Sequence, residues 1–253
     1  MRGERMKVVE AKTRMYRNVK SWNPYVGCRF GCAYCEMSFQ RQAKRRKKWC
    51  ELCYRYEPHF HPERLTKLPN SKVIFACAYG DITFAKPEWI DKILVVMEMH
   101  PEKTFYLQTK NPEALDEIYN MYGKPSNVKF GITLETNLTQ FDTPSKYKVY
   151  RNISKAPSPV ERMAIAPGLI DYITIEPILE FDSNFAEDIA ELNPEFVYIG
   201  YETHGCRLPE PPLSKTMALI EELKKFTEVR LKDEIRPAWY ETGDGNKETR
   251  RGR

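Results

Sequence analysis

Short apolar runs alternate with amphipathic stretches along this chain. Five of the runs are rich in β-branched and aromatic residues and are apolar at successive positions; they span residues 73–79, 104–109, 128–134, 171–175 and 196–201. Strands that are buried on both faces of a parallel sheet have this pattern. We also expect a strand near residues 20–26 and a weaker one at 229–232.

The stretches between these runs predict helices. Pro87 and Pro112 each precede an amphipathic stretch, and proline suits the first position of a helix. Residues 185–192 and 214–226 also have helical periodicity. Strands that alternate with helices over short connections indicate βα units. The prediction is an α/β fold with six or seven such units in a partial or complete parallel barrel, and a doubly wound open sheet is the alternative.

Charged residues stand where the predicted strands end. Three runs end in a glutamate, a fourth leads to an aspartate, a lysine follows the run at 104–109, and the weaker run at 229–232 ends in a lysine that is followed by an aspartate. These residues are Asp81, Lys110, Glu135, Glu176, Glu202, Lys232 and Asp233. Active sites of βα barrels are built at the carboxyl ends of the strands. Charges also collect wherever strands reach solvent, but three glutamates in one register favour a shared polar pocket.

Composition limits the classes of protein to which this chain can belong. The 253 residues are 42% hydrophobic and 30% charged, which is typical of a globular α/β domain. No apolar run approaches the ~20 residues that a membrane span needs, and the charged N-terminus is unlike a secretion signal. We expect a cytoplasmic protein with no membrane partner. It is predicted as one domain over residues 1–253, with a basic, cysteine-containing insertion at about 36–60 and a basic tail at about 240–253.

The cysteines give the strongest local signal. Five of the seven lie between residues 28 and 53, and in a reducing compartment such clusters bind metal or do redox chemistry. Cys28, Cys32 and Cys35 have the spacing Cys-x3-Cys-x2-Cys, which matches neither the paired ligands of zinc sites nor the repeats of bacterial ferredoxins. Three thiolates on one loop can hold three irons of a cubane cluster and leave the fourth without a protein ligand. Gly27 and Gly31 permit a close backbone approach.

This motif resembles the signature of the radical S-adenosylmethionine (SAM) superfamily, Cys-x3-Cys-x-aromatic-Cys, with Tyr34 as the aromatic residue. Other segments resemble a phage- and archaea-associated group of radical-SAM-like proteins of poorly defined function and, more distantly, spore photoproduct lyase and related DNA-repair lyases. These segments are residues 23–28, 61–65, 109–112, 131–135, 156–159 and 176–177. The resemblance runs from about Ser21 to Asp233.

The resemblance implies a partial (βα)6 TIM-type barrel, a [4Fe–4S] cluster on the three cysteines and SAM on the open iron. One electron from a donor such as ferredoxin or flavodoxin would cleave SAM, and the 5′-deoxyadenosyl radical would abstract a substrate hydrogen. Residues 78–81 replace the family's Gly-Gly-Glu segment, so its glycine pair is missing. The candidate cofactor contacts are Tyr34, Gly80, Asp81, Thr109, Lys110, Glu135, Glu176 and Glu202.

Cys50 and Cys53 form a second pair. A Cys-x2-Cys pair provides half of a metal site, for zinc or for a second iron–sulfur cluster. The missing ligands are one of two pairs, Cys77 with Cys206 or His59 with His61. If Cys77 and Cys206 are not ligands, they are candidate hydrogen-atom donors to a substrate radical, because they lie near strand ends. His204 is a further candidate catalytic residue.

Basic residues fill six of the eight positions from 41 to 48. Such a run is either a solvated helix face or a surface for nucleic acid. The leading hypothesis is a radical SAM enzyme that acts on a nucleic acid, either a tRNA base or a DNA lesion. A peptide or small-metabolite substrate is the alternative within the enzyme class. The alternative from another class is a non-catalytic, zinc-stapled nucleic-acid-binding module, which gives no reason for the acidic strand ends.

Overall fold

The structure is a computed structural model that describes residues 18–164, 168–232 and 235–242. Within these ranges the chain forms nine β-strands and seven α-helices. The strands are β1 (Val19–Trp22), β2 (Tyr25–Val26), β3 (His59–Phe60), β4 (Val73–Ala76), β5 (Thr104–Thr109), β6 (Val128–Thr133), β7 (Tyr172–Ile175), β8 (Phe196–Ile199) and β9 (Glu228–Leu231). The helices are α1 (Arg41–Lys44), α2 (Glu51–Arg55), α3 (Pro87–Glu98), α4 (Glu113–Tyr122), α5 (Pro159–Met163), α6 (Phe185–Glu191) and α7 (Leu213–Leu223).

Seven strands form one curled parallel sheet in the order β1-β4-β5-β6-β7-β8-β9. From β4 onward a helix separates each strand from the next, so each βα unit is added beside the previous one. A doubly wound sheet reverses its strand order at a switch point. This sheet has no reversal among the described residues. The predicted partial TIM-type barrel is therefore confirmed, and the doubly wound alternative is wrong.

The predicted strands are all present, with small differences at their ends. β5 has the predicted bounds, and Pro87 is the first residue of α3. Pro112 immediately precedes α4 rather than opening it. β4 is shorter than predicted because Cys77, just after it, has a left-handed backbone with φ of 55°, which an extended strand cannot continue.

The sheet is apolar on both faces, for two different reasons. The outer face packs against the helices, for example through Phe105, Leu107 and Leu115. The inner face carries an aromatic layer in which the rings of Tyr172 and Phe196 stack with centroids 5.0 Å apart. Polar side chains lie beyond this layer, at the carboxyl ends of the strands. The half-barrel is thus filled at one end and lined with polar groups at the other.

The insertion departs most from the βα pattern. Between β2 and β3 the chain forms a π-helical turn (Glu36–Gln40), α1 and α2. β3 then pairs antiparallel with β2, which returns the insertion to the loop that carries Cys28, Cys32 and Cys35. Asp233 and the basic residues of the tail, Lys247, Arg250, Arg251 and Arg253, lie outside the described residues. Among the helices described, none is long and apolar enough to span a membrane.

We predict that Gly131→Ala lowers the free energy of unfolding by about 1–3 kcal/mol. The added methyl group would lie 2.1–2.5 Å from three atoms of the Tyr172 ring, inside the aromatic layer. Urea unfolding followed by circular dichroism measures the change. The double variant with Tyr172→Leu should cost less than the sum of the two single changes, because the smaller side chain leaves room. An unchanged midpoint for Gly131→Ala would contradict tight packing here.

Candidate functional site

A cavity opens at the carboxyl edge of the half-barrel. It occupies about 980 Å³, including the space open to solvent at its mouth. Its walls come from the cysteine loop, residues 27–35, and from the ends of the parallel strands. Among the residues singled out from the sequence, those that line it are Cys28, Cys32, Tyr34, Cys35, Cys77, Gly80, Asp81, Thr109, Lys110, Glu176, Glu202, His204 and Lys232.

The cysteine loop is fixed to the loop that follows β4. The Gly27 N–H donates to the Tyr79 carbonyl at 3.0 Å, and the Asp81 N–H donates to the Gly27 carbonyl at 3.2 Å. Gly27 has φ of 106°, and a Cβ there would lie 2.3 Å from the Glu57 carbonyl oxygen, so only glycine fits. A Cβ on Gly80 would lie 2.8 Å from the Gly27 carbonyl oxygen. Gly80 therefore permits the close contact between these two loops.

The three thiols of the cysteine loop face the cavity from partly apolar surroundings that include Phe30 and Phe84. Each sulfur has a polar partner: the Phe30 N–H 3.4 Å from Cys28 Sγ, the Ser154 hydroxyl 3.1 Å from Cys32 Sγ, and the Tyr56 hydroxyl 4.0 Å from Cys35 Sγ. Burial raises the pKa of the Cys28 and Cys35 thiols. Hydrogen bonds to sulfur and low polarity are properties by which proteins set iron–sulfur potentials.

Glu135 lies beneath the cavity and is fully buried. Its Oε1 accepts hydrogen bonds from the Tyr34 hydroxyl and the Lys110 ammonium group, both at 2.5 Å, and from the Tyr150 hydroxyl at 3.1 Å. Its Oε2 accepts from the Arg162 guanidinium at 2.7 Å. Burial would raise the pKa of Glu135, but the two cations and their hydrogen bonds hold it well below its usual range. The carboxylate therefore fixes the positions of Tyr34 and Lys110, and both of its oxygens already accept hydrogen bonds.

Asp81 is a second occupied carboxylate. Its Oδ1 accepts from the Thr109 hydroxyl at 2.5 Å and from the Thr83 N–H at 3.2 Å, and its Oδ2 accepts from the Lys110 N–H at 2.9 Å. Burial raises the pKa of Asp81, and the three hydrogen bonds partly offset that rise. Asp81 thus ties the loop after β4 to the end of β5.

Glu202 holds the turn that follows β8. Its carboxylate accepts from the backbone N–H groups of His204 and Cys206. His204 lines the cavity, whereas the Cys206 thiol points at the Ala33 carbonyl, 3.8 Å away, and Cys206 is not among the lining residues. Of the two candidate hydrogen-atom donors, only Cys77 borders the cavity. Burial raises the pKa of the Cys77 thiol to about 12.

Glu176 is the most open of the strand-end carboxylates that the structure describes. It forms an ion pair with Lys232, and their side chains are 23% and 27% exposed, whereas the Glu135 side chain is 0% exposed. An ion pair at the cavity wall can exchange one partner for a ligand at small cost. Lys232 also donates to the Tyr201 carbonyl at 3.2 Å, and the two side chains form a charged pair at the cavity wall that is partly open to a bound molecule.

The sequence reasoning missed two kinds of site residue. Arg162 and Tyr150 complete the Glu135 network, but neither belongs to a motif; only the capping box formed by Ser158 and Glu161 marks the start of the helix that carries Arg162. Gln108 donates to the hydroxyls of Thr133 and Thr174, and all three line the cavity. Its Oε1 is buried without a hydrogen-bond partner among the described residues.

The second cysteine pair belongs to a separate group. The ligand atoms of Cys50, Cys53, His59 and His61 all lie within 4.8 Å of one another, so the group could hold a metal ion. Of the two ligand pairs left open by the sequence, the histidines complete this set. The alternative with Cys77 and Cys206 is wrong, because neither cysteine is part of the group among the described residues.

A family model described as "Protein of unknown function (DUF5131)" matches residues 12–187, which is more than half of the chain. No curated protein and no solved structure matches the chain.

We predict that Glu135→Gln lowers the free energy of unfolding at pH 7 by about 3–5 kcal/mol, because it leaves the buried Arg162 guanidinium without a counter-charge. The pKa of Glu135 is lower in the folded state than in the unfolded state. Its stabilisation is therefore complete above the unfolded glutamate pKa of about 4.3 and is lost as the pH falls below it. Urea unfolding at several pH values measures both effects.

Glu117→Gln is the matched control, since Glu117 is exposed on α4. It should leave stability at pH 7 within about 0.5 kcal/mol of the parent chain. A Glu135→Gln variant with the stability of this control would show that the ion pair between Glu135 and Arg162 does not stabilise the fold.

Proposed function

This chain belongs to the DUF5131 family of proteins of unknown function, and from its site we propose that it is a radical SAM enzyme. The observation that carries the proposal is the shared cavity. The Cys-x3-Cys-x2-Cys loop and the polar ends of the parallel strands, which lie far apart in the sequence, border the same space. The family match describes no function, so the support for the proposed radical SAM activity comes from the site.

The side chains around the cavity have the chemistry that a [4Fe–4S] cluster and SAM require. Cys28, Cys32 and Cys35 supply soft thiolate ligands for a [4Fe–4S] cluster and leave one iron without a protein ligand. Gln108 offers a buried acceptor, and the ion pair of Glu176 and Lys232 offers charged partners, to the polar groups of SAM. The chemistry that such a cluster supplies when bound is one-electron reductive cleavage of SAM, followed by removal of a hydrogen atom from the substrate.

The chain's own residues have three tasks in this proposal. Tyr34 and Lys110 form one wall of the cavity and are held there by Glu135. Aromatic side chains such as Phe30 exclude water from the space around the three thiolates. Cys77 keeps its S–H proton at neutral pH because burial raises its pKa to about 12, and a hydrogen-atom donor must retain that proton. We assign Cys77, rather than Cys206, as the candidate donor, with His204 beside the substrate space.

A nucleic acid is the substrate class that we propose. The basic run lies on the insertion beside the cavity, and Arg45, Arg46 and Lys48 are exposed. Trp49 is 80% exposed next to this run, and Phe39, which lines the cavity, is 42% exposed. Cations that track a phosphate backbone and exposed aromatic rings on which bases stack are the usual combination at single-stranded nucleic-acid sites. A tRNA base or a base in damaged DNA would fit this arrangement.

We expect anaerobically reconstituted protein to contain about four irons and four sulfides on the cysteine loop, and to release 5′-deoxyadenosine when it is reduced with SAM present. Cys32→Ala should abolish the product and lower the iron content. Cys206→Ser is the control for cysteine loss and should keep its iron, because that thiol does not border the cavity. Zinc without iron and no 5′-deoxyadenosine would instead favour the non-catalytic, metal-stapled nucleic-acid-binding module.

We also expect binding of tRNA or DNA to weaken steeply with salt. Replacing Arg45, Arg46 and Lys48 by serine should flatten the plot of log K against log salt by roughly 2–3, at about 0.7–0.9 for each phosphate that is no longer neutralised. Fluorescence anisotropy over a salt series measures the slope. A control that replaces three exposed lysines on α3 and just after α7, Lys92, Lys224 and Lys225, should keep the parent slope. Absent or salt-insensitive binding would favour a peptide or small-metabolite substrate.

A further inference from the structure

Four metal-ligating atoms meet at one point in the insertion. The Cys53 sulfur lies 3.3 Å from His59 Nε2 and 3.2 Å from His61 Nε2. The Cys50 sulfur lies 3.3 Å from His59 Nε2. A zinc ion with Zn–S of about 2.3 Å and Zn–N of about 2.0–2.1 Å would place sulfur and nitrogen about 3.6 Å apart at tetrahedral angles. The spacing of the side chains is thus already close to that of a metal site.

The orientation of the two imidazoles gives an independent argument. His59 Nδ1 lies 2.6 Å from the Glu57 carbonyl oxygen, which can only accept, so Nδ1 carries the proton. His61 Nδ1 lies 2.9 Å from the Glu63 carboxylate and donates in the same way. A neutral ring with this tautomer turns an unprotonated Nε2 to the centre, and the Nε2 atoms of the two rings are 2.7 Å apart. Two lone pairs at this separation repel each other unless a metal ion or a proton is bound there.

The partners of the ligands have the pattern that metal sites use. A metal-bound histidine commonly donates its other N–H to a carboxylate or a backbone carbonyl, which fixes the tautomer and the ring orientation. His61 uses the Glu63 carboxylate, and His59 uses the Glu57 carbonyl. The Cys53 N–H also donates to the Cys50 sulfur at 3.3 Å. The groups that orient the ligands are therefore supplied by the insertion and the turn that follows it.

The arrangement fits one ion and not a second iron–sulfur cluster. All four ligand atoms lie within 4.8 Å of one another. In the iron–sulfur centre that uses two cysteines and two histidines, the cysteines bind one iron and the histidines bind the other, so the pairs are held apart. Here Cys53 is as close to both histidines as the ligands of a single ion are. Two thiolates and two imidazoles around one centre are the ligands of closed, structural zinc sites.

We propose that Cys50, Cys53, His59 and His61 bind one Zn²⁺ ion and that this ion holds the insertion against the cysteine loop. The four proposed ligands and the cysteine loop are joined by direct contacts. His59 pairs with Val26 through the β2–β3 ladder, and the backbone at Glu57 is in contact with Gly27. Tyr56, which directly follows α2, places its hydroxyl near Cys35. The site is structural, and it does not depend on the proposed reaction.

Zinc content and zinc X-ray absorption test this proposal on the full chain. We expect about one zinc per chain, with two sulfur and two nitrogen neighbours. Cys53→Ser should lose the zinc, whereas Cys206→Ser and His100→Gln, which change the same residue types outside the group, should keep it. The triple variant Cys28→Ala, Cys32→Ala and Cys35→Ala should also keep its zinc. That variant separates this proposal from the proposed function, because it removes the cysteine loop's ligands and leaves the zinc set intact.

Cobalt exchange keeps the test valid if Cys53→Ser does not fold. The intact chain loaded with Co²⁺ should show the ligand-field absorption of a tetrahedral ion and a thiolate charge-transfer band, which Cys50→Ser should reduce by about half, since one of two thiolates is removed. Chelation should speed amide exchange over residues 50–61 while exchange in β5 and β6 stays slow. Octahedral cobalt, zinc retained by Cys53→Ser, iron in place of zinc, or no metal on the folded chain would each overturn the proposal.

Discussion

A carboxylate that is removed from water must be paired with cations and hydrogen-bond donors, or it does not stay ionised. Glu135 meets this requirement with groups from four other segments, namely Tyr34 on the cysteine loop, Lys110 at the end of β5, Tyr150 before α5 and Arg162 on α5. If any of these segments moved away, the buried carboxylate would lose a hydrogen bond or a counter-charge. The place of the cysteine loop above the sheet, and hence the shape of the cavity, depends on this requirement.

The carboxylates around the cavity differ in what they can do. Glu135 and Asp81 are fully used in joining loops to strand ends, and Glu202 shapes the turn that carries His204. Glu176 remains partly exposed, and so does its ion-pair partner, Lys232. The rigid part of the site and the part that can respond to a ligand are thus different residues. Rigid support of this kind keeps reactive groups in position without using the groups that contact the ligand.

Hydrophobicity predicted the sheet well because its strands are buried on both faces, and β5 has the predicted bounds. The same pattern predicted a β4 that is too long, because hydropathy does not report the left-handed backbone at Cys77. The expectation that charged strand ends share a pocket placed Glu176 and Glu202 correctly at one cavity. It could not distinguish a carboxylate whose oxygens are all hydrogen-bonded from one that is partly exposed. That distinction depends on partners such as Arg162, which is distant in sequence and belongs to no motif. The partners of Cys50 and Cys53 were left open for the same reason, because only the fold decides which pair of side chains reaches Cys53.

The order of the strands in the sheet is also their order along the chain. Each new strand therefore finds its neighbour already present, and no later strand must be inserted between earlier ones. Domains synthesised from the N-terminus can use such an arrangement to grow from one edge. The loop with Cys28 would be made first, and the wall with Glu202 and Lys232 would be made last. During synthesis the cysteine side of the cavity would stay open to solvent until the final strand docks beside β8.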